Sequence, residues 1–289
     1  MERKKNLEKK ISIIGGDLRI VNLAKMLAQD GFKVYSYALE KAEELCNFEN
    51  IKICKNLQEA TQNINFVISA IPLSQDGITV TSPFSAIKVT LEDLSKSVKG
   101  KKLIAGRLNE VLKKEPSIQS YDLLEIEEYA ILNAIATAEG AIQIAMEEFP
   151  KTLLGSNILV MGFGRIGKIV AKMLQGIGAN VFCEARKSED LAYIKAYGYT
   201  PIKLEELDKS LPQFDIIINN IPVQILNKTK LDLLKKDVLI IDLASKPGGI
   251  DFEYAKTKQI KTIWALGLPG KVAPISAAEY IKDVLYHIL

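Results

Sequence analysis

The chain has 289 residues, 48% of them hydrophobic and 25% charged, which suggests about two domains, each able to bury its own core. A formal net charge of +3 on scattered lysines argues against nucleic acid as a partner, and no apolar run approaches the roughly 18 residues of a membrane span. The basic start MERKKNLEKK lacks the pattern of a signal peptide, and the unspaced Cys46, Cys54 and Cys183 argue against a disulfide framework or a metal site, so they read as buried thiols of a cytoplasmic protein.

In chain order, short β-rich runs alternate with helical patterns, which predicts parallel sheets built from βαβ units. The first half offers strands at Ile11–Ile14, Lys33–Tyr37, Phe66–Ala70 and Lys102–Ala105. Leu123–Phe149 reads as a long helix, with a break or a close packing site expected near Asn133 and Gly140. The second half offers strands at Ile158–Met161, Asn180–Cys183, Asp215–Asn219 and Val238–Asp242, with an edge strand at Lys261–Ala265. Ser276–Leu289 is amphipathic, with Ala277, Tyr280, Ile281, Val284, Leu285 and Ile288 on one side.

The halves repeat one another. ISIIGGDLRIVNLAKMLAQDGFKVYSYA (11–38) aligns without a gap on ILVMGFGRIGKIVAKMLQGIGANVFCEA (158–185), and NFVISAIP (65–72) matches FDIIINNIP (214–222). The second copy carries Gly162, Gly164 and Gly167 between a strand and a helix, the Rossmann arrangement in which backbone N–H groups and the helix dipole hold a pyrophosphate. Gly162, Gly164, Arg165, Ile166 and Gly167 are therefore cofactor-binding candidates. Ala185 stands where an NAD site usually has a carboxylate, and Arg186 and Lys187 follow it, which favours NADP over NAD. Glu184, one residue early, should point away by strand alternation.

In the first copy only Gly15 keeps its place, with Asp17 and Ile20 where the other glycines belong, so this half is freed from dinucleotide binding. Asp17, Arg19, Ser69 and Arg107 cluster at expected strand ends and become candidates for binding an anionic substrate. Chains of this two-domain plan often oxidise 2-hydroxy acids with a histidine base, yet the single histidine, His287, lies two residues from the end of the chain. Lys271 instead offers a positive charge able to hold a carboxylate or, if desolvated, to exchange a proton.

GGDLR (15–19), ILNAIATAEGAIQIAME (131–147), GFGRIG (162–167), IDLASKPGGIDF (241–252) and ALGLPGKVAPISAAEYI (265–281) resemble the dipicolinate synthase A-type family, and these segments span essentially the whole chain. The resemblance implies two Rossmann-like doubly wound parallel-sheet α/β domains, arranged as in formate and glycerate dehydrogenases. The expected boundaries are 1–129 plus 276–289 for a substrate domain closed by the returning terminal helix, and 130–275 for the NADP domain. It implies conversion of dihydrodipicolinate to dipicolinate at the expense of NADP, with a flavoprotein-like B subunit, in the mother-cell cytoplasm of a sporulating bacterium. Self-association is a further expectation. Lys271, Asn133 and Glu139 become catalytic candidates, Thr137 joins the substrate set, and Asn220 and Asp242 join the cofactor set, with Ser245 beside Asp242. Family members commonly read Gly-Ala-Arg-Ser where this chain has Glu184-Ala185-Arg186-Lys187, and Ala136 stands where proline is expected. Two other readings fit the same motifs: a nucleotide-sensing regulator with paired Rossmann domains, and a dehydrogenase of another imino or amino dicarboxylate.

Overall fold

Runs such as Ile11–Ile14 and Ile216–Asn219 are apolar on both sides, and strands of that kind are stable only between two helical layers. The computed structural model describes residues 9–289 and divides into two compact units, one ending at Leu132 and resuming at Ala273–Leu289, the other Asn133–Val272.

The first unit holds β1 (Lys10–Ile14), α1 (Leu18–Gln29), β2 (Lys33–Tyr37), β3 (Ile51–Ile53), α2 (Leu57–Thr61), β4 (Phe66–Ser69), α3 (Leu91–Ser97), β5 (Lys102–Ala105), α4 (Glu110–Lys114) and β6 (Gln119–Asp122). Its six strands run parallel in the order β3-β2-β1-β4-β5-β6. The helix α5 (Glu127–Glu148) begins in this unit, and its residues from Asn133 onward belong to the second. The second unit continues with β7 (Asn157–Met161), α6 (Arg165–Ile177), β8 (Asn180–Ala185), α7 (Ser188–Ala196), β9 (Thr200–Lys203), α8 (Leu207–Ser210) and β10 (Ile216–Asn219). It closes with α9 (Lys228–Leu231), β11 (Leu239–Asp242), α10 (Phe252–Thr257), β12 (Lys261–Trp264) and α11 (Leu268–Val272). Its parallel order, β12-β11-β10-β7-β8-β9, is that of the first sheet written in reverse, so both units share one doubly wound topology.

Three strands are additions to the sequence reading: β3, β6 and β9. Each is short and lies at a sheet edge, where one or both faces tolerate polar residues and the apolar signal fades. The final helix α12 (Pro274–Ile288) packs along α1, with Ala278, Ile281, Val284 and Leu285 in the same core as Ile20, Leu23 and Leu27.

Within α5 there is no break at Asn133 or Gly140. The glycine serves close packing instead: a Cβ there would lie 3.0 Å from Val272 Cγ2 and 3.1 Å from Leu268 Cβ on α11. Contrary to the sequence reading, α5 is long and apolar enough to cross a membrane by length and composition. Half of that apolar stretch is buried within the protein, with Ala138, Ala141 and Ala145 in the core of the second unit. A second correction concerns Cys46, which is exposed, whereas Cys54 and Cys183 are buried, and burial pushes their thiols up to about 11 and about 12. Among the described residues no cluster of His, Cys, Asp and Glu is arranged to hold a metal ion.

Candidate functional site

Many helices here satisfy their first N–H groups with a side chain. Asp17, Asn56, Thr90, Asn109, Asn227 and Asp251 cap α1, α2, α3, α4, α9 and α10 in that way. The 13-residue α6 differs: it starts at Gly164, with no capping side chain. Its N-terminal donors and positive dipole end are thus left for an external anion.

The loop before α6 accounts for each of its glycines. Gly162 has φ +85°, and a Cβ there would sit 2.7 Å from Ile221 Cγ1 and 2.9 Å from Asn220 Oδ1. A Cβ on Gly167 would fall 2.0 Å from the Gly162 carbonyl oxygen, so the helix can approach the loop only without a side chain. Gly164 faces no such neighbour: within 4 Å of its hypothetical Cβ there is open space. The fold therefore does not require glycine at 164, whereas a phosphate approaching the backbone would. Asn220 tightens the loop, its Nδ2 donating to the carbonyls of Met161 at 2.7 Å and Gly162 at 2.9 Å. Its part is thus to shape the cradle. Arg165 lies exposed at the head of α6, and Ile166 packs against the core.

At the end of β8, Ala185 is buried, and Arg186 and Lys187 are exposed beyond it. Glu184 turns inward. It is 1% exposed, its Oε2 accepts from the Gly162 N–H at 3.2 Å, and its Oε1 has no partner. Burial raises this carboxyl above the ordinary range, against the Gly162 hydrogen bond and the Arg186 charge, which both lower it. Asp242 is fully buried as well. Its carboxylate accepts from Asn219 Nδ2 at 2.7 Å, Ala244 N at 3.0 Å and Gly249 N at 2.8 Å, bracing the turn of Ser245 through Gly249. Asp242 thus acts on this site by holding backbone. Elsewhere in the same unit, Thr137 is buried and donates to the Asn133 carbonyl at 3.0 Å, and Asn133 is half-buried. Glu139 and Lys271 are exposed.

The matching loop of the first unit is filled by its own chain. The Gly16 N–H donates to the Thr81 carbonyl at 2.8 Å, and a Cβ on Gly15 would meet Val80 Cγ1 at 2.9 Å. Asp17 caps α1 and pairs with Arg19, Nη2 lying 2.7 Å from Oδ2. Arg19 itself is only 3% exposed and donates also to the Ile71 carbonyl, with the Tyr129 hydroxyl hydrogen-bonded to it. Ser69 is spent too, donating to the Ile14 carbonyl at 2.7 Å. Arg107 is the outward-facing member of the set. It is exposed in a left-handed turn with φ +52°, a conformation uncommon outside glycine. Asp122 holds that turn, its two oxygens accepting from Arg107 N at 2.9 Å and Leu108 N at 2.8 Å. The Ile71–Pro72 bond is cis, and the Leu73 N–H donates to the Gly106 carbonyl at 2.6 Å, tying the β4 and β5 turns together.

The structure therefore brings Asp17 and Arg19 together but commits them, with Ser69, to internal bonds, and leaves Arg107 available. Asp122, Tyr129 and the Val80-Thr81 segment were missed by sequence reasoning, since nothing in their local patterns announces the contacts they make. His287 lies exposed on α12, 3.6 Å from Glu128.

A doubly wound parallel sheet with an uncapped glycine-loop helix is the Rossmann arrangement of the dinucleotide-binding domains of dehydrogenases. Residues 132–247 match the D-isomer specific 2-hydroxyacid dehydrogenase NAD-binding domain, and residues 10–126 match the N-terminal domain of the dipicolinate synthase A subunit. The chain is 33% identical to the Bacillus subtilis dipicolinate synthase A subunit, over 97% of this chain and 95% of that protein. The crystal structure of the Bacillus halodurans dipicolinate synthase A subunit superposes with a TM-score of 0.89, at 31% identity and 97% coverage of both chains. A Sinorhizobium meliloti transhydrogenase shares the fold, with a TM-score of 0.66, 15% identity, and coverage of 96% of this chain and 93% of its own. The chain belongs to the family of dipicolinate synthase A subunits.

Proposed function

We propose that this protein oxidises dihydrodipicolinate to dipicolinate with NADP as hydride acceptor, together with a second, B-type subunit, in the mother-cell cytoplasm during sporulation. The observation that carries the reading is the pairing of an uncapped, ligand-open Gly164 with exposed Arg186 and Lys187 after a buried Ala185, in a chain of this family. The residues present fit the cofactor. The N–H groups of Gly164, Arg165 and Ile166 take the pyrophosphate, Gly162 and Gly167 permit the close approach, and Arg186 with Lys187 takes the 2′-phosphate. The buried Glu184 presents no carboxylate to the ribose 2′-hydroxyl. NADP, when bound, supplies the hydride acceptor.

In this reading the unit that carries residues 10–126 binds the substrate and the unit Asn133–Val272 binds NADP. Arg107 holds a substrate carboxylate, and Asp17, Arg19 and Ser69 position the turns beside it. Dihydrodipicolinate loses a hydride and a proton as its ring becomes an aromatic pyridine, so the driving force lies in the substrate and no strong base is needed. Asn133, Glu139 and Lys271 are the groups proposed to orient the substrate or take up the proton, with Thr137 beside them on α5 and Asn220 and Asp242 shaping the cofactor cradle.

The test is to mix the chain with its B-type partner, dihydrodipicolinate and NADP, and to follow dipicolinate and NADPH together. Joint formation above a protein-free control supports the reading. Nucleotide binding without turnover, with the partner present, overturns it in favour of a nucleotide sensor. Two variants sharpen the assignment. Arg107→Ala is expected to raise the substrate KM about tenfold to a hundredfold with NADP affinity unchanged, the range for losing one or two charge-assisted hydrogen bonds. Arg186→Gln is expected to weaken NADP by a similar factor and leave NAD affinity alone.

A further inference from the structure

Between α2 and α3, on the face of the first sheet opposite α1, lies an open cavity of about 700 Å³. That volume suits a small-molecule ligand. The floor is apolar: Leu57 at the start of α2, the half-buried Tyr37 ring at the end of β2, and the buried Val89.

Hydrogen-bond donors dominate the walls. Lys88, Lys96 and Lys101 face one carboxylate, Asp93, whose Oδ2 already accepts from the Thr90 hydroxyl at 2.7 Å. Among the described residues, the Lys88 ammonium and the Tyr37 hydroxyl have no ion-pair or hydrogen-bond partner. Lys96 meets only Glu92, at 2.6 Å in an exposed pair that contributes little. Lys101 commits one of its ammonium donors to the Ile64 carbonyl at 2.9 Å and keeps the others. The backbone of Lys88 is fixed on both sides. Glu40 accepts from the Ser85 hydroxyl at 3.0 Å and from Ala86 N at 2.7 Å, and the Val89 carbonyl accepts from Val80 N at 2.8 Å. A ligand therefore meets a segment that is already ordered, which lowers the entropic cost of binding.

We propose that this cavity is a binding site for a small planar organic dianion. Its ring lies on Tyr37, Leu57 and Val89, and its charges meet Lys88, Lys96 and Lys101. A bare inorganic anion would leave the apolar floor in water, and a neutral ring would leave the ammonium groups without a counter-charge. An aromatic dicarboxylate and a nucleoside monophosphate share the required chemistry. Neither Arg107 nor any residue of the 162–167 glycine loop lines the cavity, so the proposal stands apart from the reaction proposed above.

The experiment acetylates the full chain with limiting reagent while dipicolinate or adenosine monophosphate is titrated, and follows each lysine by mass spectrometry. At about ten times its dissociation constant a probe is expected to slow acetylation of Lys88 and Lys101 about tenfold by mass action, and to leave the exposed Lys195 on α7 unchanged. Lys88 is exposed and its ammonium is unpartnered, so Lys88→Gln keeps the fold. In that variant, protection of Lys101 is expected to need about tenfold more probe, the loss of one charge-assisted hydrogen bond. Protection by either probe supports the site, and the probe that protects at lower concentration identifies the source of the dianion. No protection of Lys88 by either probe overturns the proposal. So does protection of Lys195 to the same extent, which marks general screening of lysines by an anion. Lys88→Gln with Lys101 protected as in wild type overturns it as well.

Discussion

Gly164→Val costs the fold no more than the roughly 1 kcal/mol of an unfavourable N-cap residue and weakens dinucleotide binding by about a hundredfold or more, whereas Gly167→Ala damages both. The contrast follows from what each new Cβ would meet. At Gly167 it would lie 2.0 Å from the Gly162 carbonyl oxygen, so the helix must move off the loop. Overpacking of that kind costs about 1–3 kcal/mol, and the displaced N–H groups no longer converge on a pyrophosphate. At Gly164 the φ of −83° suits any residue, and nothing within 4 Å resists the side chain. The valine then fills the space a phosphate would take. Losing two charge-assisted hydrogen bonds, each worth about 1.5–3 kcal/mol, weakens binding by about a hundredfold or more. Thermal melting and calorimetry with NADP and NAD on both variants check this. If Gly164→Val bound dinucleotide normally, the uncapped end of α6 would not be the phosphate site.

Arg19→Ala is expected to destabilise the first unit by about 3–5 kcal/mol, the range for removing one partner of a buried ion pair. The guanidinium is enclosed, with its side chain 4% exposed, and it joins three elements: the cap of α1 at Asp17, the carbonyl of Ile71 after β4, and Tyr129 on α5. Removing it leaves the Ile71 carbonyl and the Tyr129 hydroxyl without that partner, and Asp17 without its counterion. Tyr129 is fully buried, so water cannot readily replace the guanidinium as its hydrogen-bond partner. The double variant Asp17→Ala with Arg19→Met should recover part of the loss, since no uncompensated charge remains. Denaturant unfolding of the three proteins measures this. A normal unfolding curve for Arg19→Ala with only a raised substrate KM would instead make Arg19 a direct carboxylate clamp.

Both predictions separate residues that look alike in the sequence. Gly164 and Gly167 are members of one motif, yet one is required by the protein and the other by its ligand. Arg19 and Arg107 each follow a glycine-containing strand end, yet one is enclosed by Asp17, Ile71 and Tyr129, and the other is turned outward by the Asp122 brace. Glu184 belongs to the same class of distinction: strand alternation predicts that it points away from the loop, whereas the fold buries its carboxyl against the Gly162 N–H.

What could be read from the residues alone was whatever repeats locally or depends on backbone chemistry. Apolar runs punctuated by glycine announced the parallel sheets, the gapless internal match announced the shared topology, and Gly162, Gly164 and Gly167 announced a phosphate loop. The edge strands β3, β6 and β9 escaped, because a short strand with one neighbour needs little apolar pattern. Tertiary structure alone decided which polar groups face outward. Arg19 meets the Ile71 carbonyl 52 positions away, Glu184 meets Gly162 at 22, and Arg107 meets Asp122 at 15. Such partners are chosen by how strands and turns lie against one another in space. A buried polar group must find a partner wherever the fold provides one, and the chain order of the two groups carries no record of that choice.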